Sequence, residues 1–187
     1  GVHKLDSLTR ILEACTFDAM LIFVRTKLAT VNLSEKLEAR GYASAPLNGD
    51  IQQNQRERTI DRLKKNKLDI IVATDVAARG LHIPEISHVF NYDLPQSGED
   101  YVHRVGRTAR AGASGAAISF ACEDYAHYLM DIEEYIGHRV NNEPVTAELL
   151  TKPSPKAKRE RKPRPGQRPD QRRSHSGGNR NRNQGRR

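Results

Sequence analysis

The chain contains no Trp and only two Cys, and aromatic residues make up 5% of its 187 positions. Cys15 and Cys122 stand far apart in no Cys-x-x-Cys arrangement, which argues against a disulfide framework or a Cys-based zinc site and leaves two inert thiols. No apolar run approaches the roughly 18 to 20 residues that cross a bilayer, and the start, Gly1-Val2-His3-Lys4, has no signal-peptide core. The expectation is a soluble, cytoplasmic fragment with no membrane contact. Also absent are GxxxxGK[ST], GxGxxG, GxSxG and HExxH, so the chain has no phosphate cradle of its own. The seven histidines show no ligand spacing with Cys or carboxylates, and no metal site is expected. A domain usually takes roughly 100 to 200 residues, so one core is available, and chemistry that needs two lobes must borrow the second.

What is present is a strongly divided charge. The formal net charge is +8, yet residues 152–187 hold 14 of the 31 Lys and Arg and only two of the 23 acids, Glu160 and Asp170. That segment therefore carries +12 and the body before it −4. The segment has no Leu, Ile, Val, Phe or Tyr, and it cannot bury enough apolar surface to offset the entropy of ordering. The reading is a folded domain over residues 1–150 and a disordered Arg/Lys-rich tail over 151–187. Pro144–Leu150 still carries apolar residues able to pack on the body.

Within the body, helical and strand periodicities alternate. Leu5, Leu8, Ile11 and Leu12 are spaced for the inner face of an amphipathic helix. Ala19–Val24 is a short continuous apolar run, as in a strand covered on both faces of a parallel sheet. Helical spacing returns over Leu28–Arg40 and Asn54–Lys65. Further strands are predicted at Ala43–Leu47, Leu68–Ala73, Ser87–Tyr92 and Ala116–Cys122. Helices are predicted at Tyr101–Arg110 and Asp124–Ile136, the latter stopped by Gly137. This alternation predicts a doubly wound α/β domain, whose functional loops leave the C-terminal strand ends.

Tyr101–Gly112 concentrates three arginines and a histidine within the eight residues from His103 to Arg110. On a continuous helix His103, Arg107 and Arg110 would share one face, where like charges repel by a few tenths of a kcal/mol per pair. One reading is a solvated basic face. The other is a set of arginines awaiting a polyanion, since a planar fork of donors suits bidentate phosphate contact.

His103-Arg104-Val105-Gly106-Arg107-Thr108-Ala109-Arg110 resembles the HRxGRxxR motif of DEAD-box RNA helicases. Three further elements agree. Ala73-Thr74-Asp75-Val76-Ala77-Ala78-Arg79-Gly80-Leu81 is similar to the family's motif V, Asn48-Gly49-Asp50 with Gln53 and Arg56 to its GD…QxxR element, and Phe23-Val24-Arg25-Thr26 to motif IV. The resemblance covers residues 1 to about 140. It implies a RecA-like parallel sheet sandwiched by helices, the second of the two RecA-like domains of such an enzyme. The first domain, with its phosphate loop and DEAD motif, is not in this sequence, so the chain alone is expected to be inactive.

The resemblance also implies roles. Arg107 and Arg110 match arginine fingers, catalytic groups that meet the ATP γ-phosphate when the two domains close. Such charge is worth on the order of 10³ to 10⁵ in rate. His103, Arg104, Gly80 and His82 match positions that bind ATP or couple it to RNA. Most of the family has Asp where His82 stands, and one imidazole cannot reproduce the two carboxylate oxygens that meet a ribose. Arg25, Thr26, Gly49, Asp50, Gln53, Arg56, Thr74, Asp75 and Arg79 match positions that contact or support the RNA backbone. Such contacts carry no base information, so binding should tolerate any sequence. Asp50 is expected to order its loop rather than touch phosphate, and Arg79 has an alternative as an internal ion pair. ATP is the expected cofactor, with Mg2+ held mainly by the first domain.

From Leu81 onward the text resembles RhlB-like bacterial helicases, and upstream it is closer to DeaD-like ones. In RhlB-like proteins the second domain and its extension are implicated in docking the endonuclease RNase E. The expected partners are therefore RNA, the first RecA-like domain, and RNase E or other degradosome components. Two function classes stay open: half of an ATP-dependent RNA helicase, or a non-catalytic RNA and partner adaptor that works through the domain and its basic tail, the latter holding RNA by counterion release.

Overall fold

Why the apolar runs are continuous is explained by the sheet they build. In a computed structural model of the chain, which describes residues 2–79, 83, 86–108, 115–122 and 124–143, five strands run parallel in the order β2-β3-β1-β4-β5. They are β1 (Met20–Phe23), β2 (Ser44–Leu47), β3 (Ile70–Ala73), β4 (His88–Asn91) and β5 (Ala116–Ser119). Between and around them lie α1 (Val2–Ala14), α2 (Lys27–Ala39), α3 (Gln53–Lys64), α4 (Asp75–Ala78), α5 (Gly98–Val105) and α6 (Ala126–Ile136).

Every residue of the central strands β1 and β3 is buried. Leu21, Phe23, Ile71 and Ala73 face a core shared with Ile60 and Leu63 of α3 and with Ala77 and Ala78 of α4. Met20, Ile22, Ile70 and Val72 face the opposite core, with Leu8 and Leu12 of α1 and Leu33 and Leu37 of α2. The period-two alternation of a strand thus serves two cores at once, which is why it reads as unbroken apolar text. Each fully buried Leu, Ile or Phe contributes roughly 1.5 to 3 kcal/mol, so the sandwich is a rigid frame.

The register sets the site. Phe23 lies between Ala73 and Asn91, Leu47 pairs with Ala73, and Asn91 pairs with Ser119. All five strands therefore end level, and the loops that follow them emerge along a single edge.

Two expectations are corrected. The helix expected over Tyr101–Arg110 runs instead over Gly98–Val105. It begins early because the Ser97 hydroxyl accepts the Asp100 N–H at 3.2 Å, capping the helix, and Glu99 and Asp100 suit its positive end. Gly98 is required there, since an added Cβ would lie 2.2 Å from Cβ of Tyr135 on α6. The helix ends early because the Thr108 hydroxyl donates to the carbonyl oxygens of Ile86, at 2.6 Å, and Ser87, at 3.0 Å, and so pulls the chain into a bridge with Ile86. Arg107 is therefore in a turn and does not share a helical face with His103. The second correction is α4, a single turn after β3 where the sequence predicts only loop. Gly137 does end α6, in the left-handed conformation at φ 76°. The expected tail, 151–187, lies outside the described residues.

Candidate functional site

At the centre of the sheet edge stands Arg104, whose side chain is only 4% exposed. Its Nε and one terminal nitrogen donate to the two carboxylate oxygens of Asp75 at 2.6 and 2.7 Å. The other terminal nitrogen donates to Asn91 Oδ1 at 3.1 Å and to the Asp93 carbonyl at 2.7 Å. The guanidinium also lies 4.9 Å from the centre of the Phe23 ring. A planar cation can be buried here because four acceptors and a ring face replace its water. The consequence is mechanical: α5 is locked to α4 and to the end of β4. Asn91, itself fully buried, passes the lock on through Nδ2 to Ser119 Oγ at 2.9 Å.

The loop after β2 is built from within. Buried Asn48 donates to Thr30 Oγ1 at 2.8 Å and accepts the Asp50 N–H at 3.1 Å. Arg56 Nε donates to the Ile51 carbonyl at 2.8 Å, and a terminal nitrogen reaches the Gly49 carbonyl at 3.2 Å. Asp50 forms an exposed ion pair with Lys27, and Gln53 donates to Glu57 at 3.1 Å. Arg56 and Asp50 thus shape the loop.

Along the rest of the edge, Thr26 caps α2 by accepting the Ala29 N–H at 3.1 Å, and its hydroxyl keeps a proton to donate. Arg25 donates its N–H to Asp93 Oδ2 at 3.0 Å and a guanidinium N–H to the Leu94 carbonyl at 3.3 Å, and it lies over the Tyr125 ring at 4.1 Å. Thr74, 8% exposed, precedes α4 with no cap bond from its hydroxyl. Arg79 pairs with Asp100, the internal ion pair of the alternative reading. Arg79, Arg104 and Arg107, with His103, Asp75 and Asp100, line an open depression beside Phe23. Thus His103, Arg104, Arg107, Asp75 and Arg79 gather around one hollow, and the loops bearing Arg25, Thr26, Gly49 and Thr74 lie along the same edge, with Arg56 of α3 bonded to the loop of Gly49. Arg110, Gly80 and His82 fall outside the described residues.

Asn91, Asp93 and Tyr125 also shape the site; Asn91 and Asp93 end or closely follow β4, a position at a C-terminal strand end that was the available signal, whereas Tyr125 is the N-cap of α6 and carried none. Burial and the Asp93 charge push the Tyr92 hydroxyl up to about 12, and burial raises Tyr101 despite its bond to Ser119. Burial lowers His88 against the pull of Asp18. Tyr92 and Tyr101 are neutral at pH 7 and add no charge to the edge.

Residues 3–112 match the family described as the helicase conserved C-terminal domain. The fold superposes on the E. coli DEAD-box protein SrmB, in a crystal structure with regulator of ribonuclease activity A, with a TM-score of 0.75 and 37% identity over 83% of this chain and 91% of that one. The chain belongs to the DEAD-box helicases, as their C-terminal helicase domain. This helicase domain is 55% identical over 139 residues to the ATP-dependent RNA helicase RhlB of Xanthomonas axonopodis pv. citri, covering 74% of this chain and 24% of that protein. It is 56% identical over 132 residues to the ATP-dependent RNA helicase DeaD of Mycobacterium tuberculosis, covering 71% of this chain and 23% of that one. The helicase domain thus spans about a quarter of the length of these curated relatives. Among its described residues no helix is long and apolar enough to cross a membrane.

Proposed function

We propose that residues 1–150 form the second lobe of an ATP-dependent RNA helicase, which completes an ATPase site when a first RecA-like domain closes on it and holds the RNA backbone along the same sheet edge. The observation that carries this reading is the Arg104 lock. It fixes the turn bearing Arg107 to α4 and to the C-terminal ends of β3 and β4, so that nucleotide-facing and RNA-facing loops are parts of one rigid body. Arg107 and Arg110 act as the fingers, and His103, Gly80 and His82 are assigned to nucleotide binding or its coupling to RNA. Arg104 couples the two sites by holding them in register.

For RNA, the hydroxyls of Thr26 and Thr74 and the backbone N–H of Gly49 donate to phosphate, which suits a body of charge −4. Asp50, Gln53, Arg56, Asp75 and Arg79 support those loops through the bonds described above, and Arg25 holds the start of α2. ATP provides the phosphoryl group. Its Mg2+ is assigned mainly to the first domain, as the resemblance to the family implies. Mixed with the first domain of an RhlB-like relative, the chain is expected to support RNA-stimulated ATP hydrolysis that neither piece shows alone. No stimulation at any ratio of the two pieces would sink the proposal.

A second reading, an adaptor that docks RNA or RNase E through the tail, is favoured by the +12 concentrated in residues 152–187. Counterion release makes such binding fall steeply with salt. In filter binding, the full chain is expected to hold single-stranded RNA at least about tenfold more tightly at low salt than a chain ending at Leu150, and to lose that advantage as salt rises. Equal, salt-insensitive affinities would remove the tail from RNA binding.

A further inference from the structure

One carboxylate joins the first helix to the arginine lock. Asp93, the second residue beyond β4, has a side chain only 14% exposed, and each of its oxygens is used differently. Oδ1 accepts from Lys4 Nζ in the first turn of α1 at 2.9 Å, a lysine whose side chain is itself only 17% exposed. Oδ2 accepts the backbone N–H of Arg25 at 3.0 Å, which fixes the loop between β1 and α2. The carbonyl of the same residue accepts from Arg104 at 2.7 Å. The ammonium of Lys4 further lies 4.7 Å from the Tyr92 ring centre and 5.5 Å from that of Tyr125, the ring that Arg25 also covers.

Two cations, one carboxylate and two tyrosine rings are thus packed where α1, the β1–α2 loop, the β4–α5 loop and the turn before α6 meet. A lysine at the surface would do none of this. An exposed pair contributes little, but one largely withdrawn from water, with the carboxylate bonded on both oxygens, has a fixed geometry and is costly to break. The bonds from Asp93 run in two directions: outward to the helix through which the chain enters the domain, and inward through Arg104 to Asp75 on α4.

We infer that Asp93 is a positioning residue and Lys4 its latch: the docking of α1 through Lys4 sets the alignment of Arg25 and Arg104, so the segment entering α1 adjusts the nucleotide and RNA loops together. The inference rests on the proposed two-domain reading for its consequence, since there the first domain precedes α1 and its movement is felt at Lys4. It does not rest on that reading for the linkage itself, and the two are tested apart.

In the full 187-residue chain, nitrogen-15 NMR reads the Arg104 Nε–H signal and the exchange rate of the Arg25 amide. Lys4→Met is expected to shift the first and to speed the second by on the order of tenfold, a coupling of ordinary size between linked sites. Lys4→Arg, which keeps the charge, is expected to restore both. An unmoved Arg104 signal and unchanged Arg25 exchange in Lys4→Met would overturn the inference whatever the enzyme does. When the chain is combined with a first domain, Lys4→Met is expected to leave RNA-independent hydrolysis within about twofold and to lower the RNA-stimulated rate on the order of tenfold, with rescue by Lys4→Arg. Equal loss of both rates, without rescue, would mark Lys4 as a merely structural contact and also overturn it. Failure of the unmutated pair to hydrolyse ATP at all would instead strike the proposed function, and the NMR result would still decide the linkage.

Discussion

Arg107→Ala is expected to lower the rate of RNA-stimulated ATP hydrolysis by on the order of 10³-fold or more once the chain is paired with a first domain. The reasoning begins with where the structure puts this residue. Arg107 sits one residue past the C-cap of α5, in a turn anchored on both sides: its own N–H donates to the Arg104 carbonyl at 3.1 Å, and the neighbouring Thr108 hydroxyl donates to the Ile86 carbonyl at 2.6 Å. Its side chain is thus delivered to the sheet edge by a fixed backbone, which is what preorganised charge requires. A cation that meets charge developing only in the transition state changes kcat and leaves KM for ATP nearly untouched. Arg107→Lys keeps the charge but loses the planar fork, so it is expected to recover part of the rate at most. The melting temperature of Arg107→Ala is expected to stay close to that of the unmutated chain, because Thr108 and Arg104 remain in place. Hydrolysis by Arg107→Ala at the unmutated rate would show that it is no arginine finger.

The largest effect on stability is expected from Arg104→Met. The substitution keeps roughly the length and apolar stem of the side chain but removes four hydrogen bonds to Asp75, Asn91 and Asp93. Asp75 loses both partners of its bidentate pair, and Asn91, wholly buried, loses the donor to its oxygen. Breaking a buried pair by deleting one partner costs about 3 to 5 kcal/mol. Because Asp75 is itself 32% exposed and water can take part of the load, the lower figure applies, about 3 kcal/mol. For a domain of this size that is a fall of roughly 6 to 12 °C in melting temperature. Urea unfolding of the single variant and of Arg104→Met with Asp75→Leu separates the causes. If the stranded carboxylate is the main cost, the double variant recovers much of the loss. A single variant as stable as the unmutated chain would refute the structural lock and leave Arg104 a purely functional group.

Much of the architecture could be read from one dimension. Ala19–Val24 and Leu68–Ala73 are continuous apolar runs because each strand serves two cores, and the runs between them carry helical spacing, so a parallel sandwich followed from pattern alone. Arg25, Gly49 and Thr74 do follow strand ends, whereas His103 and Arg104 are carried on α5 and Arg56 on α3. The boundaries of α5 did not follow, although Ser97 with Asp100 three residues on was a capping signal in plain text. No local rule shows that Thr108 would find the Ile86 and Ser87 carbonyls and stop the helix. Arg79 shows the same limit: its charge suited phosphate and carboxylate equally, and only the packing of α4 beside α5 put Asp100 within its reach.

The amino-acid order by itself determined the type of every described element but α4, the two-sided core and the split of charge into an acidic body and a basic tail. These depend on period, volume and charge summed over neighbours in the chain, which are local quantities. Tertiary structure alone decided the strand order β2-β3-β1-β4-β5, the level row of strand ends, the burial of Arg104 and the convergence of Lys4, Arg25 and Arg104 on Asp93. Lys4 and Asp93 are 89 positions apart in the chain. Whether a charge is solvated, paired or poised for a ligand depends on what surrounds it in space, and a position so distant in sequence is brought near only when the sheet closes its register.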